Sequence, residues 1–157
     1  LQNSLTRLIW QYNGIRDQFR RPHYVKQLSI FAENKKGTMQ QITQILFEND
    51  VNILGSVNND SAEYGIVRMV VSDPDKAEQA LQAAGYMTRQ TDVLGVEVVD
   101  QPGNLNSLLK TLLETNIDID YIYLSFNRES GCPIMVFHVP DVYETEASLK
   151  SKGYTVL

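Results

Sequence analysis

The segment LSIFAENKKGTMQQITQILFENDVNIL, residues 28–54, decides the fold, because the chain repeats its pattern in LGVEVVDQPGNLNSLLKTLLETNIDID, residues 94–120. Gly37 aligns with Gly103 at an offset of 66 residues. Three further pairs keep this register, namely Leu46 with Leu112, Glu48 with Glu114, and Ile53 with Ile119. Matches over this length, with a glycine and an acidic residue among them, predict two copies of one domain.

A second group of matches lies further along both copies, at an offset of 68 residues. Copy one contributes Ile66, Asp73, Glu78, Leu81, Gly85 and Tyr86, and copy two contributes Ile134, Asp141, Glu146, Leu149, Gly153 and Tyr154. The change of offset places a two-residue insertion in the central hairpin of copy two. We therefore predict one domain at residues 25–92 and the other at residues 93–157.

Each copy has the residue pattern of a strand, a helix, two strands, a helix and a closing strand. The predicted strands are Val25–Phe31, Val51–Val57, Tyr64–Val71 and Tyr86–Gln90 in copy one, and Val93–Val99, Ile117–Phe126, Pro133–Val139 and Tyr154–Leu157 in copy two. The predicted first helices are Thr38–Asn49 and Asn104–Thr115, and the second helices end at Gly85 and Gly153. One apolar helical stripe is predicted to be buried, and it comprises Leu105, Leu108, Leu109, Leu112 and Leu113.

This order of elements predicts an α+β fold class. The chain would form two ferredoxin-like βαββαβ domains in tandem, each an antiparallel sheet with its helices on one face. A domain of this size buries only about 60% of its unfolded surface, so we expect the two copies to pair.

The composition is that of an ordinary soluble protein, and it excludes several functional classes. Of 157 residues 43% are apolar, and the net charge is −5. No apolar run reaches the roughly 18 residues of a membrane span, and the start has no signal peptide, so we expect a cytoplasmic protein without membrane contact. Because one cysteine and two histidines cannot assemble a Cys/His zinc site, we expect no metal and no cofactor.

Residues 1–24 stand outside the repeat and carry a charge of +3, which leaves −8 for residues 25–157. Phosphate neutralisation supplies most of the affinity for nucleic acid, so the acidic body argues against such a partner. In this leader, apolar residues fall at spacings of three and four, at Leu5, Leu8, Tyr12, Ile15 and Phe19. The leader is therefore either an amphipathic helix that needs a partner surface or a basic segment added to the natural chain.

The loops between the first strand and the first helix, residues 32–37 and 98–103, are the candidate binding segments. A glycine at a helix entrance lets backbone N–H groups approach a ligand, and these groups together with the helix dipole favour a carboxylate. Asn52 and Asp118 lie near the start of the second strand of each copy. The loop and this strand end are predicted to face one small polar ligand.

These motifs resemble those of ACT domains, the small-molecule regulatory modules of amino-acid metabolism. Copy two has Asp100-Gln101-Pro102-Gly103-Asn104-Leu105 followed by Asn116-Ile117-Asp118-Ile119, and copy one has Glu33-Asn34-Lys35-Lys36-Gly37-Thr38-Met39 followed by Asp50-Val51-Asn52-Ile53. The family pattern is a D-x-P-G-x-L-type loop, a leucine-rich helix and a V-N-I-type strand start. The resemblance implies that the domains pair into a continuous eight-stranded sheet with an amino acid bound at their interface.

The same resemblance implies which residues bind the ligand. They are Asn34, Lys35, Lys36, Gly37, Thr38, Met39, Asn52 and Ile53 in copy one, and Asp100, Gln101, Pro102, Gly103, Asn104, Leu105, Asp118 and Ile119 in copy two. The amides of Asn34 and Asn52 suit a zwitterion, since an amide both donates and accepts hydrogen bonds. Asp100 and Asp118 would repel a carboxylate, so copy one is the preferred sensor. Lys36 replaces the usual proline, which loosens the loop and favours an anionic ligand.

Structural roles remain open for several of these residues. Both glycines also suit a tight helix entrance, and Asn34 and Asp100 also suit turn capping. Tyr121 and Tyr123 suit packing in a core or an interface, and His138 suits a hydrogen-bonded position in an apolar strand. No catalytic motif is present, and Cys132 has no neighbouring base in sequence, so we expect no catalytic residue and no enzyme activity.

The sequence therefore predicts a non-enzymatic regulatory protein that binds a free amino acid, forms a homodimer and acts on an enzyme partner. The alternative is a ligand-independent regulatory or oligomerisation subunit of a biosynthetic enzyme such as acetolactate synthase. The sequence does not specify the amino acid, because specificity depends on the walls of the pocket.

Overall fold

The computed structural model describes residues 25–59 and 64–157. These residues form two compact units, Lys26–Thr91 and Asp92–Leu157. The leader and its predicted amphipathic helix lie outside the described residues. Within the described part of the chain, no helix has the length and apolar character needed to cross a membrane.

The first unit contains two helices and an antiparallel sheet. Its elements are β1 (Val25–Glu33), α1 (Thr38–Glu48), β2 (Ile53–Asn59), β3 (Tyr64–Val71), α2 (Pro74–Ala83) and the first part of β4 (Met87–Glu97). β3 pairs antiparallel with both β1 and β2, and β1 also pairs with β4. The register places Tyr64 opposite Glu33 and Ile66 opposite Asn59. The end of β1 that leads into α1 therefore lies beside the hairpin ends of β2 and β3.

The second unit repeats this arrangement. After β4 it contains α3 (Asn104–Glu114), β5 (Tyr121–Phe126), β6 (Pro133–His138), α4 (Val142–Ser151) and β7 (Thr155–Val156). β6 pairs antiparallel with β4 and β5, and β4 pairs antiparallel with β7. The described residues thus have mixed α and β content in antiparallel sheets, which confirms the predicted fold class at this level.

The boundary between the two copies is a single strand rather than two. The closing strand predicted at Tyr86–Gln90 and the opening strand predicted at Val93–Val99 are joined in β4. No glycine or proline lies between Tyr86 and Leu94, and β-branched residues recur there, so nothing in the sequence breaks the strand. The described residues consequently contain seven strands, and the expected count of eight is wrong.

The second strand of each copy begins later than predicted because the preceding helix ends in a left-handed residue. Asp50 has a φ of 57° and Asn116 a φ of 56°. The next amides, Val51 and Ile117, donate to carbonyls of the helix they leave, at 2.9 Å in both copies. These residues therefore belong to the helix exit.

Each unit buries one apolar core between its helices and its sheet. The buried residues in the first include Leu28, Ile30, Ile42, Leu46, Met69 and Leu81, and those in the second include Leu94, Val96, Leu108, Leu112, Phe137 and Leu149. The leucine stripe of α3 is only partly core. Leu108 and Leu112 are fully buried, whereas Leu105, Leu109 and Leu113 are exposed at 40%, 37% and 78%. Successive residues of a helix are about 100° apart, so this second row faces away from the core.

Candidate functional site

The loop from β1 to α1 is a tight turn built by the backbone. The Lys35 N–H donates to the Glu33 carbonyl at 3.0 Å, and the Thr38 N–H donates to the Lys35 carbonyl at 3.2 Å. Gly37 has a φ of 93° and a ψ of −11°. Residues other than glycine adopt this left-handed backbone conformation only at a cost in free energy. The glycine is therefore required by the turn itself.

The corresponding loop of copy two has the same conformation. The Gln101 N–H donates to the Val99 carbonyl at 2.9 Å, and the Asn104 N–H donates to the Gln101 carbonyl at 3.3 Å. Gly103 has a φ of 92° and a ψ of −11°. The sequence repeat is thus also a repeat of backbone geometry at the candidate site.

Two of the predicted site residues, one in each copy, hydrogen-bond the start of the first helix to the end of the preceding strand. The Thr38 hydroxyl donates to the Glu33 carbonyl at 3.0 Å, and the Asn104 side-chain amide donates to the Val99 carbonyl at 2.6 Å. Thr38 is buried and Asn104 is half-buried. Each side chain therefore has a structural role, although the Thr38 oxygen still has a lone pair that can accept a hydrogen bond.

The first helix of each copy begins without a side-chain cap, in contrast to the second. At α2 the carboxylate of Asp73 accepts from the Lys76 N–H at 3.0 Å, and at α4 Asp141 caps in the same way. At α1 and α3 the N-cap residue is glycine, so no N-cap side chain accepts a hydrogen bond from the first-turn N–H groups. The N–H groups of a helix start that lacks a cap, with the positive end of the helix dipole, are suited to a carboxylate.

A cleft of about 360 Å³, here called the loop cleft, lies over the start of α1. Its walls include five predicted site residues, which are Asn34, Lys35, Gly37, Thr38 and Met39. They also include Asn58, Asn59 and Gly65 from the β2–β3 hairpin, which the sequence analysis did not select. The two asparagines directly follow the predicted strand Val51–Val57, and only the strand register brings them to the loop.

An exposed ion pair stands at the edge of this cleft. The Lys35 Nζ lies 2.6 Å from the Glu33 Oε2. This hydrogen bond and the negative charge of Glu33 hold the pKa of Lys35 above its ordinary value of 10.5. Lys36, the other lysine of the loop, is exposed and is not among the residues that line the loop cleft.

Asn52 lies at the far end of the first unit from Asn34. Its N–H donates to the Ser72 hydroxyl at 2.9 Å, and its carbonyl accepts from the Ser72 N–H at 2.9 Å. Ile53 pairs with Val71, whereas the loop cleft lies beyond the opposite end of β2, about 20 Å away at 3.3 Å per residue. Within one unit, therefore, Asn34 and Asn52 cannot contact the same amino acid, and the expectation that this loop and this strand end face one ligand is wrong there.

In copy two, the predicted loop residues Asp100, Gln101, Pro102, Gly103 and Leu105 are exposed. On the strand side Asp118 is also exposed, while Ile119 packs against the core of the unit. Asp118 and Ile119 precede the paired part of the second strand, because β5 begins at Tyr121. In copy one Asn52 likewise precedes β2, whereas Ile53 is its first residue.

His138 has the structural role that the sequence analysis favoured. Its Nδ1 lies 2.5 Å from the Asp120 Oδ2, and its ring stacks on Tyr121 with 5.5 Å between centroids. Among the described residues, no three His, Cys, Asp or Glu side chains are grouped so that they could hold a metal ion. Cys132 is a free thiol of intermediate burial.

Comparison with known proteins identifies the family and the fold of the chain. A profile of the ACT domain pair matches residues 23–151. A protein of known structure from Bacteroides thetaiotaomicron is 33% identical, with 84% of this chain and 90% of that chain covered and a TM-score of 0.78. No curated protein matches this chain.

The aspartate kinase regulatory subunits of Thermus thermophilus and Thermus flavus share the fold at 18% identity, with TM-scores of 0.61 and 0.58. The comparison covers 80% of this chain in each case, and 89% and 88% of the two subunits. The profile match spans most of the chain and confirms the resemblance drawn from the two loops: this chain belongs to the family of ACT domain pairs.

Proposed function

We propose that the protein is a non-catalytic regulatory protein of amino-acid metabolism that binds a free amino acid in the loop cleft of copy one. One observation carries the proposal. The uncapped start of α1 opens into a cleft of about 360 Å³ whose walls hold three asparagines. This volume lies within the roughly 300–1,000 Å³ of small-molecule sites.

The chemistry of the cleft suits both ends of a zwitterion. The ligand carboxylate would accept hydrogen bonds from the first-turn N–H groups at Met39 and Gln40, which no side chain caps. The ligand ammonium would donate to side-chain amide oxygens of Asn34 and Asn58. Lys35 adds a positive charge to the wall of the cleft, where its pair with Glu33 offsets the negative charge of that carboxylate.

The two copies would differ in this role. Asp100 takes the place of Asn34 in the loop of copy two, which has the same backbone conformation at its glycine. A carboxylate there accepts from an ammonium but repels the ligand carboxylate. The chain would consequently have one zwitterion site, in copy one.

A second copy of the chain would complete the site. Asn34, Lys35 and Gly37 are exposed, whereas small-molecule sites usually bury 70–90% of a drug-sized ligand. We therefore place the ligand at an interface between ACT domains of two chains in a homodimer, in which each chain has ferredoxin-like domains at residues 25–92 and 93–157. A cytoplasmic enzyme partner would respond to the ligand-bound protein. The size of the response is limited by the difference in the ligand's affinity for the two conformations of the regulatory protein.

The test is a thermal-shift screen of the full chain against the common amino acids. A ligand present at 100 times its Kd stabilises the folded protein by about 2.7 kcal/mol. For the amino acid that shifts the melting temperature, Asn34→Ala should remove the shift. Asp100→Ala is the matched control, since it alters the equivalent exposed position of copy two, and it should keep the shift.

Two outcomes would reject the proposal. Absence of any shift across the screen would exclude free amino acids as ligands. Loss of the shift in the control but not in Asn34→Ala would move the site to copy two.

A second candidate function is a ligand-independent subunit that binds a biosynthetic enzyme, as the Thermus relatives are regulatory subunits of aspartate kinase. The exposed leucine row on α3, formed by Leu105, Leu109 and Leu113, favours it. The α1 positions that match this row include a threonine, Thr43. Binding of a purified acetolactate synthase catalytic subunit, lost in Leu113→Asp and unaffected by amino acids, would support this candidate.

A further inference from the structure

A second cleft of about 520 Å³, here called the aromatic cleft, lies in the same unit. It shares Ala32, Glu33, Lys35 and Thr38 with the loop cleft, but its other walls are different. They include Phe31, Tyr64, Tyr86 and Met87. Its volume also lies in the range of small-molecule sites.

Three large apolar side chains of this cleft are exposed. Phe31 is 42% exposed, Tyr64 is 62% exposed and Met87 is 69% exposed. In the β1–β3 register Tyr64 pairs with Glu33, two residues beyond Phe31, so the two rings stand on the same face of the sheet. Exposed apolar groups gathered in one concavity are a feature of ligand sites rather than of ordinary surface.

Copy two shows that the fold does not need these residues. The positions that match Phe31, Tyr64 and Met87 are Glu97, Cys132 and Thr155. In contrast, Tyr86 is matched by Tyr154, and both pack against the core of their unit. The three exposed apolar residues are thus particular to copy one, while the residue with a core role is repeated.

The charged wall of the cleft can hold an anion. The Lys35 ammonium has three donors, and its pair with Glu33 is exposed and therefore weak. The hydrogen bond and the charge of Glu33 raise the pKa of Lys35 above its ordinary value, so its ammonium carries a positive charge throughout the neutral range. Thr38 brings the positive start of α1 to the same wall.

We propose that the aromatic cleft binds a small molecule that carries an aromatic ring and a carboxylate. The ring packs against Phe31 and Tyr64, and the carboxylate pairs with Lys35. This inference goes beyond the proposed function, because the ligand needs no ammonium group and its ring contacts are absent from the loop cleft.

The test is isothermal titration calorimetry of the full chain with phenylacetate and with L-phenylalanine. Phenylacetate has the ring and the carboxylate alone, so its binding identifies an aryl acid as sufficient. L-Phenylalanine adds an ammonium group, and tighter binding of this probe would identify an aromatic amino acid as the source of the same chemistry. Acetate lacks the ring and phenethylamine lacks the carboxylate, and both should bind at least tenfold more weakly than phenylacetate.

Tyr64→Ala should weaken phenylacetate binding by roughly three- to tenfold, the range for loss of one aromatic pair. Lys35→Met should weaken it by about two- to fivefold, the range for loss of one exposed ion pair. Phe126→Ala is the control, because this ring is 51% exposed in copy two and lies outside the cleft. Tyr64→Leu, which keeps apolar bulk, covers the case in which the alanine variant fails to fold.

Three results would overturn the inference: no phenylacetate binding at millimolar concentration, equal binding of phenethylamine, or unchanged affinity in both Tyr64 variants. The test of the proposed function is independent of this one. Asn34 lines only the loop cleft, so an amino-acid shift that Asn34→Ala removes would stand even if phenylacetate did not bind. Phenylacetate binding that depends on Tyr64 would likewise stand even if no amino acid shifted the melting temperature.

Discussion

Gly37→Ala and Gly103→Ala should destabilise the protein by the same amount, because the two glycines share one conformation. Their φ angles are 93° and 92°, and both ψ angles are −11°. A Cβ added at either position would meet no heavy atom within 4 Å, so the cost comes from the backbone alone. A left-handed residue costs about 1–2 kcal/mol, and the reduced freedom of the unfolded chain offsets about 0.4–1 kcal/mol of it.

The expected net loss is therefore roughly 1 kcal/mol in each variant. For a chain of this size that corresponds to a fall of about 2–4 °C in the melting temperature. Differential scanning calorimetry of both variants without ligand measures the two losses side by side. With the amino acid found in the thermal-shift screen, only Gly37→Ala should also lose affinity.

Two results would refute this reasoning. Wild-type stability in both variants would show that the loops do not need a left-handed residue. A difference of more than about 1 kcal/mol between the variants would show that contacts, and not backbone conformation, hold one of the glycines.

Three further expectations test the packing, the capping and the electrostatics. Leu112→Ala should cost about 2–5 kcal/mol in chemical denaturation, while Leu113→Ala next to it should change stability by less than about 0.5 kcal/mol, since the two are 1% and 78% exposed. Asp73→Ala should cost about 1 kcal/mol in the same assay, because the first turn of α2 loses its cap. An NMR titration should place the pKa of Lys35 above 10.5, and Glu33→Gln should lower it.

The raised pKa of Lys35 determines how its ion pair with Glu33 affects stability as the pH changes. The folded-state pKa is raised, so the contribution of the Lys35 charge is complete across the neutral range up to the ordinary value of 10.5, and it is lost as the pH rises further through the folded value. The protein should therefore show no change from this pair between pH 5 and pH 8.

Local residue patterns were enough to predict the parts of the fold that local physics controls. Both first helices begin at the predicted residues, Thr38 and Asn104, because the glycine before each is the residue that a left-handed helix entrance needs. Both second helices begin directly after a repeated aspartate, Asp73 or Asp141, which caps the first turn. The errors lie at Val51 and Ile117, where the helix exit takes the residues that strand propensity had assigned to a strand.

The sequence predicted the loop residues of the candidate site but not the residues from β2 and β3, because the position of the latter depends on strand register. Asn58, Asn59 and Gly65 reach the loop cleft through the antiparallel pairing of β1, β3 and β2. The same pairing carries Asn52 to the opposite end of the sheet. Sequence spacing alone does not give these positions, since the same residues could pair in more than one strand register.

The central claim is that copy one, and not copy two, binds an amino acid at its first loop. The most direct measurement is a ¹H–¹⁵N NMR titration of the full chain with the amino acid selected by the thermal-shift screen. Saturable shifts should appear at Asn34, Gly37 and Met39 and be absent at Asp100 and Gly103. Shifts confined to the copy-two loop, or none at millimolar ligand, would contradict the claim.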